Sequence, residues 1–144
     1  MTNPDLAGPD PDAITEYITS TYPETDVFTI IGATFYSFDP ESHWPAFATI
    51  VTADDDPKKV SNLARPGVYR LNIGVSRETF DRLVGSDADP DYAAIDRLLP
   101  HPDYAKQHWV AILNPSASTY AEVVVPLLEE AHDRLMAVQA RHRR

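Results

Sequence analysis

Apolar and polar positions along this chain change period as the chain proceeds, two-residue alternation dominating the first half and a three-to-four spacing the last quarter. "DPDAITEYITSTYP" predicts a first helix. Asp10 is placed to cap it, Pro11 suits its first position, Ile14, Tyr17 and Ile18 form an i, i+3, i+4 stripe, and Pro23 closes it. "VFTIIGATFYSFD" predicts two strands, 27–31 and 33–38, reversing around Gly32. "AFATIVT" predicts a third over 46–52, after the loop "PESHWP". The polar stretch "ADDDPKKVSNLARPG", interrupted by Pro57 and Pro66, predicts an exposed loop. "VYRLNIGV" then predicts a fourth strand over 68–75, with Tyr69, Leu71 and Ile73 on an apolar face and Arg70 and Asn72 on a polar one.

Further on, Ser76 is placed to cap a short helix through Phe80, Leu83 and Val84, stopped by Gly85. Asp89 and Pro90 predict the start of another short helix carrying Ile95, Leu98 and Leu99 up to Pro100. "HWVAIL" predicts a fifth strand over 108–113. Thr119 and Glu122 have the spacing of a capping box, and Tyr120, Val124, Leu127, Leu128, Ala131, Leu135 and Val138 share one stripe of a long last helix. Pro126 inside it predicts a kink or a later start. This order predicts an α+β fold in two layers: a twisted antiparallel sheet of about five strands, with N- and C-terminal helices packed on one face. Residues 1–9 are expected to be a flexible tail, 10–140 a single domain, and 141–144 a basic tail.

Charge adds an asymmetry. Of 22 carboxylates, eleven fall in residues 1–57, which hold no Lys or Arg, and the chain's net charge is −10. A field of that sign repels phosphate backbones and makes nucleic acid an improbable partner. No apolar run is long enough to span a bilayer, and the N-terminus has no basic and apolar signal pattern, so a soluble, cytoplasmic protein is expected. The absence of cysteine removes disulfides, thiolate metal sites and cysteine nucleophiles. The five glycines, at 8, 32, 67, 74 and 85, form neither a dinucleotide-binding fingerprint, a P-loop nor a nucleophile elbow.

The richest chemistry lies in "HPDYAKQHW". His101 and His108 could converge if the loop folds back, with His43 or Asp39 as further ligands, but no spacing demands a metal and none is assigned. No cofactor is assigned either. The "ADDD" run lacks the rest of a calcium-loop pattern. Pairs such as His108 with Asp103 or His101 with Asp96 have the composition for acid–base chemistry. The plainer alternative has His108 opening a strand with a ring nitrogen on a backbone carbonyl. Trp109 is expected in the core. If the polar face of the fourth strand is concave, Arg70 and Asn72 could meet an anionic or amide ligand.

Lys106, His108 and Trp109, the K-x-H-W that leads into an apolar strand and then a capped helix, resemble the MmcQ/YjbR-like proteins. "FYSFDP…AFATIV" is similar to the paired strands of that family. More extensively, "FYSFDP", "RPGVYRLNIGVS", "PHPDYAKQHWVAILNPS" and "PLLEEAH" together resemble a bacterial domain family of unknown function, over about residues 12–138. The resemblance implies a compact α+β fold of the double-wing, secretion-chaperone-like kind and, by structural analogy, DNA binding. Segments 77–84 and 90–99 carry only Arg77, Arg82 and Arg97, which is not the basic recognition helix such a role needs.

These observations lead to a non-enzymatic binding domain for a small molecule or protein partner, acting as monomer or homodimer, with Arg70, Asn72, His101, Tyr104, Lys106 and His108 as its binding residues. The alternatives are a small enzyme using His108 or His101 as general base, and, behind it, a DNA-binding protein.

Overall fold

Asp10 Oδ1 accepts a hydrogen bond from the Ala13 amide at 2.8 Å, so α1 (Pro11–Thr21) starts where cap and proline predict. The computed structural model describes residues 8–30, 32–38, 46–53 and 59–142. His43, Trp44, Asp39, the acidic run 54–56 and most of the N-terminal tail therefore lie outside the described residues. Gly32, at φ +78°, turns β1 (Thr25–Ile30) into β2 (Ala33–Phe38). β3 (Ala48–Val51) and β4 (Arg70–Gly74) follow, then α2 (Arg77–Leu83), whose Ser76 Oγ caps the Thr79 amide at 3.0 Å. β5 (Leu98–Pro100), β6 (Trp109–Leu113) and the C-terminal helix complete the chain.

The helix predicted over 90–99 does not form. Asp96 takes a left-handed φ of +61° and its amide donates to Leu113 O at 2.7 Å, so the chain turns and pairs as β5 against β6. Leu99 and His101 each precede a proline, which steers both toward extended backbone. The result is a six-stranded, wholly antiparallel sheet in the order β1-β2-β3-β4-β6-β5.

Alternation then decides the layers. Tyr36, Ala48, Ile50, Leu71, Ile73, Val110 and Ile112 pair in register on one side, where they meet Ile14 and Ile18 of α1 and Val124, Leu127, Leu128 and Ala131 of the C-terminal helix. Each large side chain taken out of water there contributes about 1.5–3 kcal/mol. The expected α+β sandwich, with both terminal helices on one face, is what the chain builds.

The C-terminal helix opens one turn earlier than the Thr119–Glu122 box predicts. Ser116 Oγ accepts from the Thr119 amide at 3.2 Å, making Ser116 the cap of α3 (Ala117–Thr119). A π-helical turn (Tyr120–Val124) follows, and then α4 (Val125–His142). The Val125 amide reaches back to Tyr120 O. This wider turn comes immediately before Pro126, whose ring would otherwise meet the carbonyl four residues earlier, so the helix accommodates its proline without restarting. Residues 141 and 142, expected in a separate tail, continue α4.

Among the described residues, no helix packs a core against the opposite side of the sheet. That side is partly roofed by residues 59–68, where Leu63 and Val68 pack with Leu113 into a second, smaller cluster. Ser61 and Leu63 are buried, so this part of the expected exposed loop is instead a cover.

Candidate functional site

The strand alternation that sends Leu71 and Ile73 to the helices sends Arg70 and Asn72 to the other face, beside Thr49 and Val51 of β3. Both are buried, Asn72 with 1% of its surface exposed and Arg70 with 6%. They are held by one another: Arg70 Nε donates to Asn72 Oδ1 at 3.0 Å, and Asn72 Nδ2 donates to Thr49 Oγ1 at 2.9 Å. Arg70 Nη1 donates to Ser61 Oγ at 2.8 Å on the covering loop, and these are not its only interactions. Burying a guanidinium requires such a network, because each donor removed from water without an acceptor is costly.

β5 delivers the next group. The His101 amide continues the ladder by donating to Trp109 O at 3.0 Å, and its side chain, two residues beyond Leu99, turns to the same face as Asn72. His101 lies at the start of its loop, yet only 4% of it is exposed. Its Nδ1 accepts from the amides of Asp103 at 2.9 Å and Tyr104 at 3.0 Å, so the ring holds the first turn of its own loop. With Nδ1 an acceptor twice over, the ring proton sits on Nε2. Burial, with a lesser contribution from the Arg70 charge, lowers the His101 pKa to about 3 and keeps the ring neutral.

These side chains line a cavity of about 360 Å³ on the open face of the sheet. Ala33, Phe35, Thr49 and Val51 come from β2 and β3, Arg70 and Asn72 from β4, and His101, Asp103, Tyr104 and Trp109 from β5, the loop and β6. Tyr104, 56% exposed, stands at the rim with its ring 4.9 Å from that of His101. Trp109, expected in the core, lies on the cavity side across Gly74. A Cβ on Gly74 would come within 3.0 Å of the indole Cε2, so the glycine gives the ring its place.

Of the six residues singled out by sequence, Arg70, Asn72, His101 and Tyr104 are brought together here; Lys106 and His108 are not among the lining residues. Lys106 is exposed on the 3-10 turn Ala105–Gln107. His108 precedes β6 rather than opening it, with φ +68°, and its ring meets Phe80 edge-on at 5.8 Å. Neither predicted acid–base pair forms through these contacts: Asp96 Oδ1 accepts from the Ser116 amide at 2.8 Å, and Asp103 meets His101 through its backbone. Among the described residues no group of three or more His, Asp or Glu could hold a metal ion.

Sequence reasoning overlooked Thr49 and Ser61, and favoured the core for Phe35. The parity that puts Tyr36 and Ile50 inward marks Phe35 and Thr49 as facing the other way; for Ser61 no comparable signal exists.

A family model spanning residues 9–144 matches the chain with this geometry. The chain belongs to DUF6194, a family of unknown function. The DUF6194 match thus covers every described element of the sheet, its helices and the cavity wall, and assigns no activity to any of them. No curated protein and no solved structure matches this DUF6194 chain. No helix among the described residues is long and apolar enough to cross a membrane.

Proposed function

We propose that this DUF6194 chain is a non-enzymatic, single-domain binding protein acting in the cytoplasm, and that its ligand is a small molecule taken into the cavity on the open sheet face. The observation that carries this reading is His101. This residue, 4% exposed, is anchored through Nδ1, lines the cavity, and has an Nε2–H with no partner among the described residues. An N–H held in a fixed direction on a concave, partly apolar wall, with no protein acceptor, is a natural donor to a bound ligand. Arg70, Asn72 and Tyr104 share that wall.

Catalysis by His101 as general base is the weaker reading. Nε2 already carries its proton, Nδ1 is engaged with two amides, and the lowered pKa opposes further protonation. His108, packed on Phe80, has no place on the cavity wall. The resemblance to MmcQ/YjbR-like proteins rests on Lys106, His108 and Trp109 and on the strands of "FYSFDP…AFATIV", and the DNA role it would bring conflicts with the net charge of −10.

The test is a fragment screen by two-dimensional amide NMR on the full chain. Binding should shift amides of β3, β4 and residues 101–109, and Ala33→Trp, which fills the cavity from β2, should abolish those shifts. Fragments that bind only elsewhere, or that bind the filled variant equally well, would refute the proposal.

A further inference from the structure

Resting on that cavity as the binding site, the pattern of used and unused hydrogen-bonding groups points to the class of ligand. Along the inner wall the acceptors are engaged. Asn72 Oδ1 receives Arg70 Nε, Thr49 Oγ1 receives Asn72 Nδ2, and Ser61 Oγ receives Arg70 Nη1. Donors are what remain. The Thr49 hydroxyl, having accepted from Asn72, has its own proton to give, and no described residue takes it. His101 offers Nε2–H. The acidic group on the wall is Asp103, which is exposed and stands at the rim.

We infer that the ligand is a small monocarboxylate with a flat apolar body, its carboxylate directed inward to Thr49 Oγ1 and His101 Nε2 and its body between Phe35 and Trp109. A carboxylate is acceptor-only, so it takes both free donors and brings none of its own to a wall whose acceptors are engaged. A primary amide would bring two N–H groups, and an ammonium three, with Asp103 at the mouth the available carboxylate. A bare inorganic anion would leave Phe35, Val51 and Trp109 uncovered. The volume of about 360 Å³ lies at the small end of the roughly 300–1,000 Å³ seen for ligand pockets, which suits a single ring or a short branched chain.

The experiment titrates benzoate, phenylacetate, benzamide and benzylamine into the full chain at fixed ionic strength, following cavity amides by NMR. The carboxylates should bind at least tenfold more tightly than benzamide or benzylamine. Thr49→Val should weaken the carboxylates about tenfold, as expected for a hydrogen bond to a charged group, while Thr49→Ser should bind like wild type. Because Thr49→Val also leaves Asn72 Nδ2 without its acceptor, near-UV circular dichroism must show an unchanged fold, and Thr49→Ser carries the comparison if it does not. Benzamide or benzylamine binding in the cavity as tightly as the carboxylates would overturn the carboxylate assignment while leaving the cavity as the site. Carboxylate affinity equal in a folded Thr49→Val, or lost in Thr49→Ser, would overturn the donor assignment. No cavity shift with any of the four probes, together with a blank fragment screen, would remove the cavity reading and this inference with it.

Discussion

Holding His101 neutral inside the fold has a measurable cost in acid. The unfolded chain protonates this histidine near its ordinary pKa of 6.5, whereas the folded chain refuses the proton until about pH 3. Below pH 6.5 the unfolded state therefore binds a proton that the native state lacks, and stability falls as pH falls through that window. Above it the group makes no pH-dependent contribution. At about 1.4 kcal/mol for each pH unit between the two values, the loss is roughly 2 kcal/mol at pH 5 and about 3 kcal/mol at pH 4. His101→Asn isolates the effect, because an Asn carbonyl can still accept from the amides two and three residues on, yet does not titrate. Urea unfolding followed by far-UV circular dichroism from pH 7.5 to pH 4 should give wild type a steeper acid loss than the variant, the gap growing to about 3 kcal/mol at pH 4. Arg70 and Asp103, which share the wall, are present in both proteins and drop out of the difference. Parallel curves would refute the argument, since they would mean that His101 protonates as readily in the fold as outside it.

Two structural brackets carry further predictions. Asn114, at φ +43°, accepts from the buried Tyr69 amide at 3.0 Å and donates to Gly67 O at 2.9 Å. Asn114→Ala should cost about 3–5 kcal/mol in urea unfolding, from the unmet amide, the lost second bond and the left-handed backbone; Asn114→Gly should recover about 1 kcal/mol by removing the backbone strain. Glu130 on α4 holds α2 by accepting from the Ser76 amide at 3.0 Å and from Thr79 Oγ1 at 2.6 Å. Glu130→Ala should cost about 2 kcal/mol and speed hydrogen exchange of the residue 77–83 amides ahead of those in β4 and β6.

Local signals in the sequence located the caps and turns well where the decisive partner lies within a few residues. Asp10 with Pro11, Gly32 and Ser76 all act where such signals place them. The 90–99 segment failed because Ile95, Leu98 and Leu99 have helical spacing, while what holds them is β6, more than ten residues away. Ser116 beat Thr119 as cap because the helix tolerates Pro126 through its π turn, which no propensity encodes. At the site, alternation in β4 was enough to set Arg70 and Asn72 on a shared face. It could not show that the polar face is covered, nor that His101 leaves solvent, because both depend on residues 59–68 and β5 arriving from elsewhere. Lys106 and His108 were chosen for composition, and composition says nothing about direction.

The interleaving of the two faces also sets which sequence changes this fold can absorb. In β4 every second residue belongs to the helix-side core and the others to the cavity, so both are written in one reading frame. A one-residue insertion before Arg70 would exchange them, driving the guanidinium and amide against Ile14 and Leu128 and turning Leu71 and Ile73 toward the cavity. Single substitutions at the cavity positions leave that frame intact. Variation in what the cavity accepts can therefore accumulate by replacement but not by insertion, with length changes confined to the loops beyond the strand ends.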